Sequence, residues 1–152
     1  MSRIIVTKNI DKLLKLEKVL KEKVVIKTGI FAENDNRKDG KSNVKIGYDH
    51  EFGTLYTAKR SWLRVPFFLK LKQIEDVAIS SIKDGLEKGS LKGLYSAIAK
   101  ECKHIVLGAF VSGGYGTWKA ISPETAARKG NTRILRDTDQ FMKAVKSKVV
   151  KE

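Results

Sequence analysis

A histidine beside a glutamate is a potential acid–base or metal-binding pair, and this chain carries one, His50-Glu51, within "YDHEFGTLYTAKRSWLRVPFF". Zinc would need further ligands that converge, such as a histidine one helical turn away or paired cysteines. The other histidine is His104 and the single cysteine is Cys102, so no such set is at hand. On an extended backbone, neighbouring side chains point to opposite faces, which keeps His50 and Glu51 from acting on one atom. The expected role of the imidazole is structural, hydrogen-bonded to backbone near a turn. Ser61, Ser80, Ser81 and Ser112 all lack the Gly-x-Ser-x-Gly setting of a nucleophile elbow. "GGYGTWK" is rich in glycine but has no Gly-Lys-Ser/Thr ending, and there is no dinucleotide fingerprint. Glu33, Asp35 and Asp39 lie in a loop without the glutamate and glycine spacing of a calcium site. No catalytic residue, metal or cofactor is expected, and the chain does not read as an enzyme.

Bulk properties narrow the partners. The length of 152 residues suits one domain over 1–152. A hydrophobic fraction of 41% with 32% charged residues is that of a globular chain. The formal net charge of +14 favours polyanions or acidic protein surfaces. Lys59, Arg60 and Arg64 interleave with Trp62, Phe67 and Phe68, as in surfaces that bind single-stranded nucleic acid. A basic nucleic-acid-binding module is therefore the alternative reading, although no known nucleic-acid motif is present. The early lysine in "MSRIIVTKN" does not suit a signal peptide, and no apolar run approaches the roughly 20 residues that span a bilayer. With one cysteine, expected to be a buried thiol, the chain suits a reducing cytosol.

The elements that must position these residues follow from periodicity. Arg3–Thr7 predicts a strand. Asn9 predicts a cap for a helix carrying Ile10, Leu13, Leu14, Leu16, Val19 and Leu20. "KVVIKTGIF" predicts a strand, and the Asp39-Gly40 loop predicts a β-hairpin into "NVKIGYDHEFG". Pro66 predicts the first turn of a long helix with the stripe Leu71, Ile74, Ala78, Ile82 and Leu86, closed by Gly89. Ser90 predicts the cap of a second helix with Leu91, Leu94, Ile98, Cys102 and Ile105, antiparallel to the first and covering the sheet with it. "GAFVSGGYGTWKAIS" predicts a break and a mobile glycine loop. "SPETAARKG" predicts a short helix opening on Ser122, "RDTDQFMKAV" a helical turn, and Val149-Val150 a last strand. The fold class is α+β, a small mixed or antiparallel sheet packed against two long amphipathic helices, with extended loops.

Read together, two blocks resemble a known pattern. "YDHEFGT" followed by "AKRSWLRVPF" resembles the "HE-F-G-T … PARPFLRP" block of tailed-phage virion morphogenesis and tail-completion (neck) proteins, the HK97 gp10-like tail-component family. "WKAISPETAARKG" with "ILRDTDQF" resembles that family's second block, roughly "W-x-x-L-x-x-x-T-x-x-x-K … L-x-D-T-G-x-L". The matching residues are His50, Glu51, Phe52, Gly53, Thr54, Arg60, Trp62, Leu63, Arg64 and Pro66, then Trp118, Ile121, Thr125, Lys129, Leu135, Asp137 and Thr138. Ser61 replaces a frequent proline and Asp139 the glycine of an Asp-Thr-Gly turn, so the geometry of that turn is a point to settle. The resemblance implies a structural protein of the virion's head–tail junction, made in the host cytoplasm. It implies a homo-oligomeric ring, typically a hexamer, contacting a head-side connector or stopper and tail-terminator or tail-tube proteins, near the DNA channel and away from membrane. In such a ring Arg60, Trp62, Arg64 and Trp118 are candidates for subunit contacts. Core packing is the equal alternative for the two tryptophans.

Overall fold

The computed structural model describes residues 10–152 apart from residues 12 and 16. The expected Arg3–Thr7 strand, the Asn9 cap and the stripe position Leu16 lie outside the described residues. Residues 10–11, 13–15 and 17–20 are helical, but Ile10, Leu13, Leu14 and Leu20 are exposed. The remaining elements run β1 (Val24–Gly29), a 3-10 turn (Ala32–Asn34), α1 (Asn43–Phe52), α2 (Arg64–Leu69), α3 (Leu71–Lys88), α4 (Lys92–Ser112), α5 (Pro123–Lys129), α6 (Gln140–Ala144) and β2 (Lys146–Lys151). The class is α+β, with one two-stranded antiparallel sheet among the described residues.

That sheet is built from distant parts of the chain. β1 pairs with β2 from Val24 opposite Lys151 to Gly29 opposite Lys146. β-Branched residues face one another at Val25–Val150 and Ile26–Val149, a pairing that suits a pleated surface. Two strands alone are marginal in water, and α4 supplies what they lack by packing on both. Cys102 on α4 is buried as expected, and burial raises its thiol pKa while the nearby Thr28 hydroxyl opposes that rise. α3 packs along α4 and is itself half exposed, so the sheet is covered by α4 far more than by the pair.

The expected hairpin is not formed. "NVKIGYDHEF" is helix α1, and the partner of β1 lies at the far end of the sequence. Ser42 starts the helix by accepting the Lys45 N–H at 3.0 Å while its hydroxyl donates to Asp35 at 2.7 Å. The other Asp35 oxygen accepts the Val44 N–H at 3.0 Å. Two orphan amides of the first turn are thereby satisfied. The inward face of α1 is Asn43, Gly47 and Glu51, spaced four apart, whereas Val44, Tyr48 and Phe52 are exposed. A helix whose buried stripe is polar and small gives no apolar period for the eye to find.

Other boundaries also move. The helix expected from Pro66 is two helices, because Lys70 leaves helical geometry between α2 and α3 (φ −116°, ψ 16°). Pro66 sits in the first turn of α2, where its missing N–H breaks no bond. Gly89 ends α3 in the left-handed conformation, as its position implies (φ 64°). Ser90 does not cap α4; its N–H closes α3 by donating to the Gly85 carbonyl at 2.9 Å, and α4 begins at Lys92 without a side-chain cap. α4 then continues unbroken through Gly108 to Ser112. The glycine segment beyond it is a hydrogen-bonded turn: Gly114 N–H donates to Ala109 O at 2.7 Å and Trp118 N–H to Gly113 O at 3.0 Å. Gly114 lies against the Trp118 indole with no room for a Cβ.

The core sits where α4 meets the two motif blocks. Trp62, Val106, Ala109, Phe110, Trp118, Phe141 and Val145 form it. Phe110 is its hub, edge-on to Trp118 and Phe141 at centroid distances of 5.7 and 5.3 Å, the arrangement that aromatic quadrupoles favour.

Candidate functional site

Glu51, in the last turn of α1, is buried at 5% exposure, yet it is the most heavily bonded side chain near the motif. Its carboxylate accepts the Ser61 hydroxyl at 2.7 Å, the N–H groups of Trp62, Leu63 and Arg64 at 2.9, 3.0 and 3.3 Å, and Arg64 Nε at 2.8 Å. Burial by itself raises the pKa of this group. The bonds from Arg64, Ser61 and the Leu63 and Arg64 amides outweigh it and hold the carboxyl below its ordinary range. Glu51 thus fixes the turn that enters α2. With every lone-pair direction engaged, it is a clamp and not a free base.

His50 points elsewhere, because neighbours on a helix lie about 100° apart around its axis. Its Nδ1 is buried without a hydrogen-bond partner among the described residues, and the ring lies near the Ala58 backbone. Burial and the nearby Arg60 charge lower its pKa, so the ring is neutral at pH 7. Gly53 ends α1 at φ 82°, in the left-handed region that favours glycine, and the Lys59 Cβ would crowd a side chain there. Thr54 accepts the Thr57 and Tyr56 N–H groups at 2.9 and 3.2 Å and shapes the following loop. Phe52 is exposed, against Tyr48 and under the Arg64 guanidinium at 4.5 Å.

The two motif blocks interlock. The Trp118 indole donates to Ser61 O at 2.9 Å and the Trp62 indole to Gly47 O at 2.8 Å. Arg60 is 8% exposed; its Nε donates to Lys119 O at 2.8 Å and one Nη to Ala120 O at 3.2 Å. Arg60, Trp62 and Trp118 therefore hold the chain to itself, and of the four candidate contact residues only Arg64 has an exposed side chain. Pro66 is buried in α2.

Between the blocks lies a cleft of about 520 Å³ lined by His50, Arg60, Ile121, Thr125, Lys129, Leu135, Asp137 and Thr138, together with Tyr56, Lys119 and Arg128. Most of the second-block motif residues meet His50 and Arg60 here. Ser122 caps α5 by accepting the Thr125 N–H at 3.2 Å. Thr138 accepts from Gln140 at 2.9 Å. Asp139 holds a left-handed conformation (φ 58°, ψ 5°), one that glycine enters without strain. Arg136 pairs with Asp139 at 3.0 Å and lowers its pKa.

Among the described residues no group of three or more His, Cys, Asp or Glu is placed to hold a metal ion. His104 is exposed on α4 beside Glu101, and no described helix is long and apolar enough to cross a membrane. Sequence reasoning overlooked Asn43 and Gly47, whose four-residue step to Glu51 was the available signal. Comparison with known protein families, curated proteins and solved structures found no match to this chain. The family reading therefore rests on the two motif blocks.

Proposed function

We propose that this chain is a non-enzymatic structural protein of the tailed-phage head–tail junction, a tail-completion or neck subunit that assembles into a ring. The supporting observation is that the two blocks of the resemblance, separated by 59 residues at the Arg60–Lys119 bond, form one interlocked unit. Motif residues engaged with backbone in this way build a rigid module. Glu51, His50 and Arg60 offer no nucleophile–base pair, which favours scaffold over catalysis. A ring requires two different patches that meet on neighbouring copies. Exposed Leu55, Tyr56, Phe68 and Arg64 are suited to one of them.

The partners are further copies of the chain, a head-side connector or stopper, and tail-terminator or tail-tube proteins. The test is electron microscopy of phage particles made with and without this chain. Heads and tails that fail to join in its absence are the expected result; normal virions would overturn the reading. Its rival, a basic nucleic-acid-binding module, draws on the net charge of +14. Tight binding of short DNA by a monomer, weakening steeply with salt, would favour that rival.

A further inference from the structure

Arg60 is a guanidinium that cannot lose its charge, it is nearly buried, and its bonds within the chain go to carbonyl oxygens. No carboxylate lies within ion-pair reach of it among the described residues. Its remaining Nη1 is neither bonded there nor sealed from solvent. A buried charge without a counter-ion is costly, and its field is little screened. The cleft adds Arg37, Lys119, Arg128 and Lys129; of its two carboxylates, Asp139 is held by Arg136 and Arg133, and Asp137 faces Lys129 and Arg37. Lys119 and Arg128 have no ion-pair partner among the described residues.

We propose that this cleft is a recognition site for an acidic, apolar-flanked peptide segment of a partner protein, whose carboxylate lies between Arg60 and the Lys119–Arg128 rim. The remainder of the lining fits the flanks, because Ile46, Ile121, Leu135 and Phe141 give the cleft an apolar wall. At its mouth Tyr56 is 97% exposed and the adjoining Leu55 is 96% exposed, a pair that a polypeptide would cover and a small metabolite would leave in water. Carboxylate fits better than phosphate. Phosphate nests are built from free backbone amides, whereas here Ser122 takes the Thr125 amide at the start of α5. The site does not depend on the head–tail reading, since its chemistry is the same whatever assembly the partner belongs to.

The test is a ¹⁵N-resolved NMR titration of the full chain with two capped peptides, acetyl-LELEF-amide and acetyl-LQLQF-amide. The glutamate peptide is expected to give saturable shifts at His50, Thr57, Ile121 and Leu135, and to bind about tenfold more tightly than the glutamine peptide, one charged contact's worth. A Lys119→Ala, Arg128→Ala variant, altered at two exposed positions, should keep the wild-type spectrum and lose most of that preference. Equal binding of the two peptides, shifts confined to other surfaces, or displacement by millimolar inorganic phosphate would each overturn the assignment. So would tighter occupancy of the same residues by a short thymidine oligonucleotide. A folded wild-type chain that binds neither peptide would overturn it as well, and would leave the particle-imaging test of the assembly role unaffected.

Discussion

At the scale of single residues, Glu51 and Arg60 change meaning between sequence and structure. The pair His50-Glu51 invites a reaction, but Glu51 is committed to the Ser61–Arg64 turn while His50 lines the cleft. Glu51→Gln removes a charge that receives bonds from Ser61, Arg64 and three amides, and should cost about 2–4 kcal/mol in urea unfolding. Its folded pKa is depressed, so its contribution is complete above the unfolded carboxylate value and is lost as pH falls through the folded value. The gap between wild type and variant should therefore shrink below about pH 4. Arg60→Glu would set a carboxylate against the Lys119 and Ala120 carbonyls and should cost about 3–5 kcal/mol. An unchanged urea midpoint would place the importance of Arg60 outside folding. Asp139 offers a cleaner comparison, because Asp139→Gly and Asp139→Ala both lose the Arg136 pair. Only alanine retains the left-handed strain, so the glycine variant should be more stable by about 1 kcal/mol, read from thermal midpoints.

Among elements, α4 is the organiser. It packs on β1, β2, α2 and α3, and it carries Ile105, Val106, Ala109 and Phe110, each at most 2% exposed. α3 leaves Leu71, Ile79, Ile82 and Leu86 exposed. Hydrogen exchange should follow this contrast, with amides over 105–110 of α4 exchanging at least about 100-fold more slowly than those of α3. Comparable protection in both would show α3 to be part of the central cooperative unit. Legibility in the sequence followed the same physics. α4, β1, β2 and the capped α5 announce themselves through apolar period, β-branching and the Ser-Pro start. α1 does not, because its buried face is Asn43, Gly47 and Glu51, whose value lies in what they bond and how closely they let Trp62 approach. The long-range pairing of β1 with β2 was hidden for another reason, since a nearby Asp-Gly loop offered a local alternative that the Asp35–Ser42 cap defeats. The cleft was legible only as two motif blocks without a visible meeting place.

For the whole molecule, a net charge of +14 means self-repulsion, and few ion pairs offset it strongly. Lys72–Asp76, Lys88–Asp84 and Lys45–Asp49 are exposed helical pairs, a type of small individual worth. Raising salt from about 10 mM to about 150 mM shortens the screening length roughly fourfold and should raise the melting temperature by a few degrees. A falling melting temperature would mean that attractive pairs dominate. The sheet has a further, mechanical consequence. Val24 stands opposite Lys151 and Gly29 opposite Lys146, and the Glu152 N–H adds a bond to Lys23 O. Tension drawn through residues 24 and 151 loads these rungs one after another, as a zipper opens, and not all together in shear. A chain pulled at those two points would yield first at its sheet, at low force. The Trp–Phe core and the Glu51 clamp would remain folded to draw the strands back when the load is released.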